Sequence, residues 1–184
     1  MTAHFENPSL AAELPSQQSG ERSGVREDRD APIALPQVRW SLEPVAVAQF
    51  AIHGGVSPDE GTLLTETLRS SLVGTEYFRV VSRNDMETIL QEQHFQRTDS
   101  CDDTQCLVEM GKILAVQRIV GATVGKVGST FALSIRLVDV ETGEIQYTVD
   151  DTLKAEPDAL IGLVAHAGRK LALRYASAKR QEAM

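Results

Sequence analysis

The sequence predicts an α/β fold: a mixed β-sheet with a C-terminal antiparallel meander, covered by amphipathic helices. Three observations carry this. From Arg118 to Thr152, three runs of β-branched and aliphatic residues alternate at period two and are separated by two short turn signals, the pattern of consecutive antiparallel strands. Ser57-Pro58-Asp59-Glu60 spells a complete helix start, with serine as cap, proline at the first helical position and glutamate at the third. Leu160, Val164, Ala167, Leu171 and Tyr175 form a helical stripe near the C-terminus. A sheet with an apolar face must be covered, and the helices are the available cover.

Taken in order, residues 1–36 read as a disordered tail or linker. Four of the seven prolines fall there (Pro8, Pro15, Pro32, Pro36), beside the polar block from Gln17 to Gly24 and the mixed-charge run from Arg26 to Asp30. Such a stretch buries too little apolar surface to offset the entropy of ordering it. The domain is expected over residues 37–178, followed by a short tail, 179–184. Val38, Trp40 and Leu42 alternate, but Pro44 just after them favours a sheet edge. Val45–Phe50 reads as a strand, followed by a loop through Gly54-Gly55. The helix begun at Ser57 presents Leu64, Leu68 and Leu72 and ends at Gly74.

Phe78–Val81 reads as a second strand, and Ser82 opens a second helix burying Met86, Ile89, Leu90 and in part Gln93. A third helix starts near Thr104 and uses Leu107, Met110 and Leu114. In the meander, Phe131, Leu133, Ile135 and Leu137 point one way. Gly128-Ser129 is a tight hairpin connection, and Gly143 supplies the left-handed residue of the second turn. The last helix begins at Glu156-Pro157-Asp158, with Gly162, Ala165 and Gly168 allowing close approach to the sheet. Arg169, Lys170, Arg174, Lys179 and Arg180 crowd its end, where the helix dipole favours cations, and read as a solvated face. The order is β-α-β-α-α-β-β-β-α.

Composition narrows the function. A hydrophobic content of 42% permits a real core, while a net charge of −8 and a pI near 5.0 argue against an electrostatic nucleic-acid binder. No apolar run approaches the roughly 20 residues needed to cross a bilayer. Met1–Leu10 has neither a basic start nor an apolar block, and no lipobox cysteine follows.

The search for chemistry gives little. Gly121, Gly125 and Gly128 match neither phosphate-loop spacing and lie within strand sequence, so they read as close backbone packing or a bulge. His4, His53, His94 and His166 are scattered, with no metal-ligand spacing between them. Asp102-Asp103 and Asp150-Asp151 adjoin turns or strand ends, where solvated aspartates are ordinary. No catalytic residue, cofactor or metal site is expected. Cys101 and Cys106 are the most specific local feature: they suit a disulfide pinning their loop to the third helix, inert thiols, or a metal or redox site. A disulfide implies export, which stands against the missing signal.

Several stretches together resemble the CsgG-type superfamily of bacterial cell-envelope domains, which also holds the TolB amino-terminal-like domain and the LpoB-type activators of peptidoglycan synthases. They are Val45–Phe50, the helix over Leu64–Leu72, Tyr77–Arg83, Asp85–Gln93, the two-cysteine loop, Glu109–Leu114, Ile119–Gly128 and Leu137–Ile145; the resemblance covers residues 44–176. It implies a non-catalytic α/β domain that docks other envelope proteins, or a second copy of itself, in secretion, export or wall synthesis, and it points to the periplasm or envelope. The chain departs from the curli channel in lacking the long membrane hairpins, since both meander turns are tight, so it is not expected to insert into a membrane alone. The alternatives are a cytoplasmic regulatory or ligand-binding domain using the Gly-rich strand and the His53-Gly54-Gly55 loop, and an enzyme whose site is assembled from distant residues.

Overall fold

The structure is a computed structural model that describes residues 42–95, 101–154 and 158–182. The expected tail over 1–36, and Val38 and Trp40, lie outside the described residues. In chain order the elements are β1 (Glu43–Val47), β2 (Ala51–His53), α1 (Pro58–Val73), β3 (Phe78–Val80), α2 (Arg83–Glu92), α3 (Thr104–Ile113), β4 (Arg118–Val127), β5 (Thr130–Asp139), β6 (Ile145–Leu153) and α4 (Ala159–Glu182). The sheet runs β3-β1-β4-β5-β6, with β2 also paired to β4. β1 is parallel to β3 and β4, and β4, β5 and β6 form the antiparallel meander. This is the α/β class read from the sequence.

One strand differs from expectation. The expected strand Val45–Phe50 stops at Val47, at the end of β1; Ala48–Phe50 form a connection, and pairing resumes in β2, so that β1 and β2 lie end to end along β4. Val47 pairs with Val120 and Ala51 with Thr123, so the β1–β2 side carries one residue more than β4. The cause is a competing partner. Phe50 N–H leaves the ladder and donates to Thr65 Oγ1 of α1 at 3.1 Å, while Gln49 Nε2 donates to Thr62 Oγ1 at 3.1 Å. A hydroxyl from a neighbouring helix thereby creates a bulge that strand propensity could not show.

The helix starts follow their signals. Ser57 and Glu60 form a reciprocal capping box: Glu60 N–H donates to Ser57 Oγ at 3.2 Å and Ser57 N–H to Glu60 Oε2 at 2.6 Å. Those bonds from Ser57 hold the Glu60 carboxyl below its usual range. Ser82 caps α2 and Asp103 caps α3. Met86 is buried, Ile89 and Leu90 are half-buried, and Gln93 is exposed as the C-cap of α2. α4 continues to Glu182, past the expected boundary at 178, and Lys179 and Arg180 lie in its last turn.

Both faces of the sheet are covered. Val45, Val47, Val120, Val124, Phe131, Leu133, Ile135 and Leu137 pack with Leu64, Leu68 and Leu72 of α1 and with the α4 stripe. Ala46, Ala48, Ile119 and Val138 pack on the other face with Met86, Leu107 and Met110 of α2 and α3. Gly168 does permit a close approach, but to α1: a Cβ there would overlap Ser71 Oγ and lie 2.9 Å from Leu68 Cδ1. Gly162 is exposed and meets nothing, so the expected small-residue contact with the sheet is a helix–helix contact made by Gly168.

One end of the sheet is tied by charge. Arg118, at the start of β4, pairs with Glu43 of β1 and donates from Nε to Gln146 Oε1 at 2.8 Å; Tyr175 Oη of α4 donates to Glu43. The Arg118 guanidinium also lies 5.5 Å from the centre of the Tyr175 ring. Burial raises the Tyr175 pKa, keeping its hydroxyl protonated and donating. In the turn between β5 and β6, Asp139 accepts from the N–H groups of Glu141 and Thr142, each at 3.0 Å, and Gly143 takes φ +75°. The Thr142 N–H bond is the leading cause that lowers the Asp139 carboxyl pKa.

Candidate functional site

The sheet ends on two unlike edges. β3 is only three residues long, whereas β6 has nine and, among the described residues, pairs only with β5. Short edge strands resist pairing with other chains, and long ones invite it. The Thr148 carbonyl points outward, because it accepts from Arg174 Nη1 of α4 at 2.5 Å. By the alternation of an antiparallel ladder, the main-chain groups of Asp150 and Thr152 face outward too. Among the described residues no further strand pairs with them.

Alongside this edge, α4 and Tyr147 of β6 line a shallow hollow walled by His166, Arg169, Lys170 and Arg174, with Leu173 at 56% exposure. The basic run lies at the surface, as expected of a solvated face, and two of its members also reach β6: Arg174 ties the helix to the strand, and Lys170 Nζ lies 3.9 Å from Asp151. A strand edge that carries Asp150 and Asp151 beside Lys170, Arg174 and an exposed leucine can accept an extended segment, with main-chain hydrogen bonds supplying affinity and side-chain pockets specificity.

A second concavity opens elsewhere, between α1, α2 and the β1–β2 connection, with a volume of about 370 Å³. Phe50, Met86, Leu90, Phe95 and Met110 give it an apolar lining, and Arg69 lies in its wall. Arg69 is 8% exposed; its Nη2 donates to Val47 O at 2.7 Å and contacts Met86 Sδ at 3.4 Å. Its burial lowers the guanidinium pKa. Sequence reasoning missed this residue, although Gly61, Thr65 and Arg69 recur every four residues as a buried stripe beside the leucines.

The residues singled out in the sequence are not brought together. His53, His94 and His166 are exposed and far apart along the fold, and His4 lies outside the described residues. His53, Gly125, Lys126 and Asp150 do share a hollow formed by residues of β2, β4, β5 and β6. Gly125 is there for backbone packing, since a Cβ would come within 2.7 Å of the His53 carbonyl oxygen. Asp103 serves as a helix cap, accepting from Cys106 N–H at 2.7 Å. Asp150 accepts from Ser134 Oγ at 2.6 Å. Cys101 and Cys106 are buried and within disulfide reach, their Cα atoms 5.4 Å apart at the start of α3. Among the described residues, no group of three or more His, Cys, Asp and Glu is placed to hold a metal ion. No described helix is long and apolar enough to cross a membrane.

Comparison with known proteins agrees with the superfamily resemblance. The family model for the curli production assembly/transport component CsgG matches residues 47–129. The C-terminal domain of LpoB from Salmonella enterica superposes with a TM-score of 0.53 at 20% identity, over 61% of this chain and 83% of that one. Its Escherichia coli counterpart gives 0.52 at 18% identity, with the same coverage of 61% and 83%. Lipoprotein GNA1162 from Neisseria meningitidis gives 0.52 at 15% identity, over 67% of this chain and 91% of that one. At these identities the likeness is one of fold. A search of curated proteins finds no sequence match.

Proposed function

We propose that this chain, whose fold is that of the CsgG-type and LpoB-type envelope domains, is a non-catalytic interaction or assembly domain of the bacterial cell envelope. The observation that carries the reading is the long open edge of β6 beside the basic hollow of α4. Beyond the Thr148 carbonyl it supplies main-chain groups that no other described strand pairs, with cations and an exposed leucine on one surface, and these suit an extended segment of another envelope protein. The matching family model is described as an assembly and transport component, and one structural neighbour as a lipoprotein, which supports the same setting. In this reading residues 1–36 are a tether, and Cys101 and Cys106 form a disulfide in an oxidising compartment.

The test places a photo-crosslinking amino acid at Thr152 on the edge and, as a control, at the exposed Thr88 on α2, in the full chain in its native host. A discrete adduct with a single envelope protein from Thr152 alone is expected, lost when Asp150 is replaced by proline. Equal labelling from both positions, or none from Thr152, rejects this edge as the docking surface.

A further inference from the structure

We infer that the cleft between α1, α2 and the β1–β2 connection binds a small amphipathic carboxylate, with Arg69 receiving the oxyanion. The inference rests on an unmet demand. Among the described residues, Arg69 Nε and Nη1 are buried with no hydrogen-bond partner, as is the facing Glu66 Oε1, and a buried donor left in that state carries a desolvation penalty. The neighbouring charges do not meet it. Glu66 Oε1 stands 3.8 Å from Nε, an ion pair beyond hydrogen-bond reach, and the Glu87 carboxylate is taken by Arg83 at 2.6 Å.

The contact of Nη2 with Met86 Sδ at 3.4 Å uses one of the weakest acceptors a protein offers. A carboxylate oxygen displaces a thioether readily, and the flexible Met86 side chain can move aside. The second oxygen then reaches Nη1, giving the two-pronged pairing for which guanidinium is suited, while Nε keeps its ion pair with Glu66. The rest of the cleft fixes the body of the ligand. Phe50, Leu90, Phe95 and Met110 ask for an apolar group, and a volume of about 370 Å³ admits an aromatic ring with a short chain. The hollow by His53 and Gly125 has no comparable buried donor among the described residues.

The experiment titrates the full chain with 4-phenylbutyrate and, separately, with 4-phenylbutan-1-ol, following amide resonances and thermal stability. The acid is expected to bind about tenfold or more tightly than the alcohol, the difference a charge-assisted pair makes, with shifts at Met86, Leu90 and Phe95. Arg69→Met should erase the preference for the acid. Because Arg69 also holds the Val47 carbonyl, a second variant, Leu90→Trp, fills the cleft and leaves the guanidinium in place; it should abolish binding of both probes while retaining the wild-type melting temperature. Absence of binding at millimolar acid, equal affinity for acid and alcohol, or shifts confined to the β6–α4 hollow would overturn the assignment. The β6 crosslinking result is independent of all of these.

Discussion

On one face of the sheet, α1 and α4 lie against each other and against four consecutive inward residues of β5, forming a continuous apolar layer. On the other face, α2 fully buries only Met86, and α3 contributes Leu107 and Met110. The first face is sealed by Leu, Val and Phe in interlocking contact. The second contains a cysteine pair, and at its margin α2 leaves a cleft against α1. Stability is therefore expected to concentrate on the α1/α4 side, and adaptability on the α2/α3 side, since sparsely packed elements open more easily than the core.

The sharpest way to break that comparison is to delete equivalent volumes from each face. Leu68→Ala, at a fully buried position, should cost about 4 kcal/mol of unfolding free energy, and Met86→Ala about 2 kcal/mol, because the second site can relax around its cavity. Equal losses in chemical denaturation would remove the distinction. Arg118→Met tests the polar tie at the sheet end. It leaves Glu43 without its buried partner and should cost about 3 kcal/mol, and Glu43→Gln in the same background should recover part of it.

Reduction probes the second face alone. If the Cys101–Cys106 bond is closed, reducing it should cost about 2 kcal/mol by loop entropy, with hydrogen exchange accelerating in α3 and unchanged in α4. Intact mass with and without reductant, after labelling of free thiols, establishes whether the bond exists. Gly168→Ala is expected to cost about 1–2 kcal/mol by overpacking against Ser71, and Ser71→Ala should recover some of that by removing the overlapping hydroxyl.

The smallest effect belongs to pH. The Asp139 carboxyl has its pKa lowered in the folded chain, chiefly by the Thr142 N–H. Its contribution is therefore present above the unfolded aspartate range, near 4, and is lost as the pH falls through the lower folded value. Asp139→Asn should flatten the stability profile below about pH 4 and leave its slope near neutrality unchanged.

The amino-acid sequence by itself determined the parts that depend on near neighbours along the chain. Ser57 with Glu60, the alternation of Phe131 to Leu137 and the glycine in the second hairpin turn all act within a few residues, where dihedral preference and periodicity decide. The stripe from Leu160 to Tyr175 was equally legible, because helical spacing alone selects its face. The candidate sites were far less so. The bulge between β1 and β2 exists because Thr65 takes a hydrogen bond from Phe50, 15 residues earlier, and the Glu43–Tyr175 bond joins residues 132 apart. Arg69 sits in a wall only because Met86, Leu90 and Phe95 are brought beside it from later in the chain, and which strand becomes the long edge is decided by the pairing order of the sheet. Tertiary structure decided these features, because a hydrogen bond or a cleft depends on which distant groups share the same few ångströms, and local pattern does not encode that distance.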